Sequence, residues 1–460
     1  MSGEAITTAS TQAFEYPAAR VAWRATFVLY FFYLIAMLDR FVITLLQKPI
    51  KADLGVSDIE LSLLFGGAFA LCYALTVLPF GWAVDHYSRR LVMFFAVAFW
   101  SLSTAAGGIT NSFTGLLLSR AGVGVGESGV TPASHSMLAD MFRPDRLSLP
   151  LSVWALGAKT GEAFSLFIGG LVTLWVAPSA VYLFANAVTI HGWQLIFLII
   201  GLPGLLFAFL IFTVPEPGRR RAGPAAEASF REYGRFMKRH ARFYLGHHGG
   251  TALVAIASLG VTSWSPAFFE RTFGLSPAVT GAWVGTAILI GPLVGLPLHG
   301  ALTDWMYRRG MADVHLKYQA GCALVALPFG IGAFTAATPL FASIMLTFFT
   351  MSIAGYLSLP ACALQLIVPG PLRGKASAVS MLIAGQIAIA FGPISVATIT
   401  DVVLKDPNRV GESLVIMLSI ALPSAALLLG LTYRTSRELA RDAFAASPAS
   451  GDPELSYLAA

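Results

Sequence analysis

The chain has 460 residues, 56% hydrophobic and only 12% charged, with a mean hydropathy of +0.72 and a formal charge of +6. Soluble domains typically carry about a quarter charged residues, so a water-facing fold would lack polar material to cover its surface. Lipid is the solvent that fits. Cys72, Cys322 and Cys362 fall in apolar runs without paired spacing, which speaks against a disulfide framework or a metal site and for small hydrophobes. No cofactor is expected.

In chain order, positions 1–18 read as a disordered tail, without the apolar core of a cleavable signal. A crossing needs roughly 20 mainly apolar residues. The first six are expected near 25–47, 60–84, 91–110, 114–140, 149–175 and 193–214. The long polar connection 215–242 follows, with Arg219, Arg220, Arg221, Arg231, Arg235, Lys238, Arg239 and Arg242. Its part from Phe230 to Phe243 predicts a basic amphipathic helix on the membrane surface. Six more spans are expected near 243–269, 278–303, 318–337, 339–366, 376–402 and 413–433. The expected units are therefore a half over 19–214, a linker over 215–242, a half over 243–433 and a tail over 434–460, disordered from 442.

Basic residues are distributed unevenly along this scheme. With the N-terminus inside, Lys48, Lys51, Arg271, Lys405 and Arg409 fall outside, and Arg40, Arg120 and Lys159 fall within spans; the rest of the 30 lie inside. That asymmetry predicts both termini in the cytoplasm of a plasma (inner) membrane protein. It also accounts for the basic balance without nucleic acid.

The halves repeat a string. Gly81, Asp85, Arg89 and Arg90 follow the second span; Gly300, Asp304, Arg308 and Arg309 follow the eighth with the same spacing. Duplicated halves around a midplane site are a recurrent transporter architecture. The paired strings resemble the loop signature of the major facilitator superfamily over nearly the whole chain. His86 and Ser88 depart from it, standing where a basic residue and a glycine are usual. The resemblance implies an all-α membrane protein with the major facilitator fold, about twelve transmembrane helices in two pseudo-symmetric six-helix halves, and alternating access. On this reading Gly81 permits close helix approach, and Asp85 pairs with an arginine or faces a helix N-terminus. These contacts would latch the halves while the outer side is open; the alternative is that Arg89 and Arg90 only fix topology.

The fourth span carries Arg120, Gly122, Gly124, Gly126, Glu127, Gly129, Pro132 and His135, and ends on Ala139-Asp140-Met141-Phe142; the first carries Asp39-Arg40. Together they resemble the spinster branch, known for exporting lysolipids and sphingosine phosphate, and share elements with organic anion:cation symporters. The Gly124, Gly126, Gly129 spacing is no dinucleotide cradle, because no strand precedes it; these glycines thin the helix for packing.

Ionisable groups inside spans are costly and mark function. Asp39, Arg40, Arg120, Glu127, Lys159 and Glu162 all lie in the first half. If the first and fourth spans share a cavity, as the family fold implies, Asp39, Arg40, Arg120 and Glu127 form one cluster. Glu127 and Asp39 are the candidates for proton coupling; the alternative is a static ion network. Arg40, Arg120, Lys159 and Glu162 are the candidates for a substrate headgroup, although Lys159 and Glu162, three apart, can also neutralise each other. His135 reads as packed or water-facing rather than as a proton relay. The second half offers Trp264, Phe268, Tyr356 and Gln386 as an apolar, aromatic cavity wall, with Gln365 beside them.

The sequence thus reads as a monomeric, proton-coupled secondary transporter among membrane lipids, its substrate an amphipathic organic molecule such as a lysolipid or sphingolipid. A small organic-anion symporter is the alternative. An intramembrane enzyme would need a motif such as HExxH or GxSxG, which is missing, and a channel has no need of duplicated halves.

Overall fold

The structure is a computed structural model that describes residues 16–142, 148–184, 188–218, 230–311, 313–368 and 372–445. Both expected disordered tails lie outside these residues for most of their length, as do Arg219, Arg220 and Arg221. Among the described residues, nine helical stretches are long and apolar enough to cross a membrane: Ala19–Leu45, Asp58–His86, Arg89–Gly107, Gly192–Thr213, Ala241–Phe273, Pro277–Arg308, Pro339–Leu364, Gly385–Leu404 and Pro407–Gly430. Phe113–Glu127 with Val130–Met141, Ser148–Trp175 and Val314–Phe334 complete twelve crossings in two sets of six. Here the end of the bundle that carries the 215–242 linker is the linker end; the opposite one is the far end.

Local chemistry sets where the spans start. Ser57 caps the second, accepting from the Glu60 backbone while the Glu60 side chain accepts from Ser57 N–H at 2.8 Å, a reciprocal box that satisfies two otherwise orphaned donors. Ser276 and Thr338 cap the eighth and tenth, each followed by proline at the first helical position, where its missing N–H costs nothing.

Four features depart from the sequence reading. The fourth span is broken after Glu127 and resumes at Val130, so neither piece alone has the length of a crossing. The second span opens with a wide π turn over Leu63–Gly67. A two-stranded antiparallel hairpin, Val181–Phe184 with Val188–His191, stands at the far end, the only sheet among the described residues; β-branched and aromatic residues there favour extended backbone. The tail opens on a helix, Tyr433–Ala445.

The linker helix Phe230–Arg239 forms, but its apolar face does not lie on the membrane surface. Tyr233 is buried in a cluster with Phe243, Tyr244, Leu316, Leu364 and Leu429 of the second half, edge-on to Tyr244 at 6.0 Å. Protein has taken the face that the sequence assigned to lipid.

Close helix approach follows the small residues. A Cβ on Gly124 would sit 2.5 Å from the Phe69 carbonyl oxygen, and one on Gly66 would sit 1.8 Å from that of Ile389. The first contact packs the fourth span on the second; the second presses the two halves together. Gly81, expected at a close contact, stands in open space, as does Gly300; a Cβ on either would meet nothing within 4 Å.

Candidate functional site

The first and fourth spans run in opposite directions, and this brings Asp39 and Arg40 beside Glu127 and Arg120. Arg40 donates to Glu127 Oε2 and lies over the Phe69 ring at 4.1 Å. Phe69 follows the wide turn of the second span directly, a kind of irregularity common at functional sites. Nearer the far end, Thr104 donates to Asp39 Oδ2 at 2.5 Å, and Arg120 Nη1 faces Asp39 Oδ1 at 3.7 Å. The pairs therefore cross between spans: each arginine takes the acid of the other helix, and Arg120 and Glu127, seven residues apart on one helix, do not pair with each other.

All four side chains are deeply buried, with Arg40 the most exposed at 11%. Two cations and two carboxylates make a neutral set, the arrangement that limits the cost of burying charge. It is not saturated with hydrogen bonds. Among the described residues, all three nitrogens of Arg120, Glu127 Oε1 and Asp39 Oδ1 are buried without a hydrogen-bond partner. Glu127 also ends a helix, and the Ser128-Gly129 break beside it is held by Ser128 donating to Val125 O at 2.7 Å. Broken helices inside membranes are tolerated where protein or a cavity satisfies the backbone.

Lys159 and Glu162 do pair, at 2.7 Å. Tyr33 is stacked on Trp154 at 4.5 Å, and His135 meets the same indole edge-on at 4.6 Å, a packed histidine. Lys159 and Tyr356 are partly buried.

Two members of the expected aromatic wall, Trp264 and Phe268, pack into the core. Trp264 is fully buried, donates to Pro393 O at 3.0 Å and meets Phe65 edge-on at 5.9 Å. Phe268 packs edge-on among Phe269, Phe273 and Phe334. Both are core, because the seventh span is enclosed along most of its length, 83% of its apolar window being buried. Tyr356 and Gln386 are half-buried; Gln365 lies where side chains are outside the described set. The second half is also less purely apolar than expected. His299 Nε2 donates to Met351 O at 2.7 Å, which leaves Nδ1 to accept from Tyr318 at 2.9 Å.

The repeated string resolves unequally. Arg89 is 1% exposed and ties the third span to the fourth and to the start of the linker: its Nε donates to Glu216 at 2.9 Å, Nη1 to Asp140 and Ser136, and Nη2 to Pro217 O. Ser88 and the Arg90 backbone also donate to Glu216, at 2.7 and 3.1 Å. Burial pushes the Glu216 carboxyl upward, but the hydrogen bonds from Ser88, Arg89 and Arg90 outweigh it and hold the group below its ordinary value. Arg89 thus bonds the third and fourth spans to the segment that follows the sixth, and among the described residues none of its hydrogen bonds or ion pairs reaches the second half. In the second copy, Arg309 lies over Trp305 at 4.0 Å, and Asp304 and Arg308 are exposed.

The far end holds a charge cluster that sequence reasoning missed. Asp58, fully buried, accepts from Arg271 of the seventh span at 2.8 and 3.1 Å and from Lys51 at 2.6 Å. Arg271 also donates to Pro407 O at 2.8 Å. Asp401 accepts from the Ile59 backbone at 2.8 Å, and Gln47 donates to Ser263 O at 2.8 Å. These bonds tie one half to the other. The available signal was Arg271 itself, a cation at the outer end of an apolar span.

Among the described residues, no group of three His, Cys, Asp or Glu side chains is arranged to hold a metal. Compared with known protein families, residues 29–393 match the Major Facilitator Superfamily. The chain is similar to an MFS-type efflux pump of Mycolicibacterium smegmatis, 29% identical across 87% of this chain and 90% of that protein. It is 25% identical to a probable L-galactonate transporter of Escherichia coli, across 70% and 69%, and 23% identical to protein spinster of Drosophila melanogaster, across 85% and 64%. Among solved structures, a bacterial homolog of the human lysosomal transporter spinster, inward-facing and unoccupied, superposes with a TM-score of 0.74. It is 23% identical, with 94% of this chain and all of that one covered.

Proposed function

The chain belongs to the major facilitator superfamily and is a transporter of that fold; from this premise we propose that it moves an organic anion with an apolar body, coupled to protons. The linker end, with its excess of Lys and Arg, faces the cytoplasm of a plasma membrane, and substrate reaches the centre by alternating access. The observation that carries the reading is the neutral buried set of Asp39, Arg40, Arg120 and Glu127.

The coupling argument is one of charge balance. A proton on Glu127 removes the charge that holds Arg40 and leaves the set with a net positive charge. An anion binding beside it restores neutrality, and Nε and Nη2 of Arg120, which make no hydrogen bond to a described residue, are donors in reserve. Lys159, partly buried beside Glu162, is the second anchor for a negative group. Proton and anion then favour each other's binding, because either alone leaves charge uncompensated in a site where it is costly.

Calorimetry in buffers of different ionisation enthalpy tests this. Binding of a ligand carboxylate should take up about one proton in the parent and none in Glu127→Gln. Equal proton uptake in both removes Glu127 from the coupling role. Burial of Trp264 and Phe268 favours a second reading, a small organic acid, because the longest apolar surface expected for a lipid tail is core. Within a ligand series, each buried methylene adds about 0.8 kcal/mol, so affinity rising with chain length supports the amphipathic substrate and a flat series the small acid.

A further inference from the structure

The first span carries a feature that the transport site does not use. Arg24, Phe27, Val28 and Phe31 stand at positions i, i+3, i+4 and i+7 of the Ala19–Val42 helix, one face of its surface. Together with Leu210 of the sixth span they line a groove of about 380 Å³ that is apolar apart from the guanidinium. Phe31 meets Phe207 edge-on at 5.2 Å and closes its inner end. Phe27 is 59% exposed, and Arg24 is exposed with no hydrogen bond or ion pair to any described residue.

The order along the helix decides what fits. Arg24 lies five residues inside the helix start, about 7.5 Å at 1.5 Å per residue, a depth from which a long side chain reaches the headgroup level. Phe27, Val28 and Phe31 continue inward for about another 10 Å. Leu210 and Phe207 sit in the last turns of the sixth span, which runs the opposite way, so both walls lie in the same leaflet. A cation above a lipid-facing apolar crease has the shape of a phospholipid: charge outward, chain inward.

We propose that this groove is a binding site for an anionic phospholipid of the linker-end leaflet, its headgroup phosphate on Arg24 and one acyl chain along Phe27, Val28, Phe31 and Leu210. The site lies on the outer wall of the bundle, and its occupant is resident lipid. Charge selects the headgroup, because the apolar walls accept any acyl chain alike.

The test uses the full chain in bilayers doped with phosphatidylglycerol bearing a diazirine midway along one acyl chain, or with the matching phosphatidylcholine. Labelling is mapped on peptides containing Phe27, Phe31 and Leu210. The anionic probe should label them about fivefold more than the zwitterionic one, the preference expected from one basic residue near the membrane surface. Arg24→Gln should abolish that preference and Arg24→Lys keep it. Reading the groove peptides alone separates this site from the basic face of the linker helix. Equal labelling of the groove by the two lipids in the parent overturns the proposal, even if Arg24→Gln fails to fold. So does a preference that survives in Arg24→Gln.

Discussion

The two ends of the bundle use buried charge for different purposes. At the far end, Asp58 belongs to one half and Arg271 to the other, so their hydrogen bonds hold the halves together. At the linker end, Arg89 satisfies Glu216, Asp140 and Pro217 O within the first half and the linker start that continues it. A bond across the interface has to break when the halves rock apart at that end, whereas a bond within a half survives the motion. Under the proposed alternating access, the far-end cluster would bias which state is populated, and the linker-end cluster would keep the moving body rigid. Buried ion pairs are weak evidence for net stability, but removal of one partner strands the other at high cost. That asymmetry makes both ends testable.

The largest expected effect is steric. Gly66→Leu places a side chain where the Ile389 carbonyl oxygen lies, 1.8 Å from the new Cβ, and backbone cannot yield as a flexible side chain does. Distances between spin labels on the far ends of the second and eleventh spans should lengthen by several ångströms, with transport lost. A parent-like distance distribution would mean that the close approach is not needed to bring the halves together.

Next is Asp58→Asn, which leaves the partly buried Arg271 guanidinium without its counter-charge. Breaking a buried pair costs about 3–5 kcal/mol, and each 1.4 kcal/mol is tenfold in an equilibrium. The conformation closed at the far end should become the minor one in label distances across that end. An unchanged population would assign Asp58 to folding of its own helix start, where an acid also complements the helix dipole.

A smaller effect, of the opposite kind, is expected for Glu216→Gln. It should lower stability by about 1–3 kcal/mol, the cost of removing one acceptor from buried donors, and leave far-end distances unaltered. The carboxyl is held below its ordinary value, so its contribution is fully present above that value and fades as pH falls through the lower folded one. Melting temperatures of parent and variant should thus differ at neutral pH and converge as pH drops below about 4. A constant difference across that window would exclude the charge as the source.

Much of this was legible in the sequence because membranes constrain it one helix at a time. Each crossing is an apolar run of set length, and each mid-span charge stands out against it, so the twelve spans, the duplicated halves and the set Asp39, Arg40, Arg120, Glu127, Lys159 and Glu162 could be read span by span. The i,i+3 pairing of Lys159 with Glu162 was legible for the same reason, being local to one helix. What the sequence left open are relations between helices. Which arginine takes which acid depends on how the first and fourth spans face each other, so Arg40 with Glu127 and Arg120 with Asp39 needed the tertiary structure. An aromatic residue reads the same whether it lines a cavity or fills a core, and only packing consigned Trp264 and Phe268 to the core. Likewise Asp58 is an ordinary first-turn acid until the seventh span brings Arg271 beside it, and the repeated Arg89 a loop cation until Glu216 meets it from over a hundred residues away. Periodicity and composition report each helix's relation to its solvent; charge pairing and burial are decided by its neighbours.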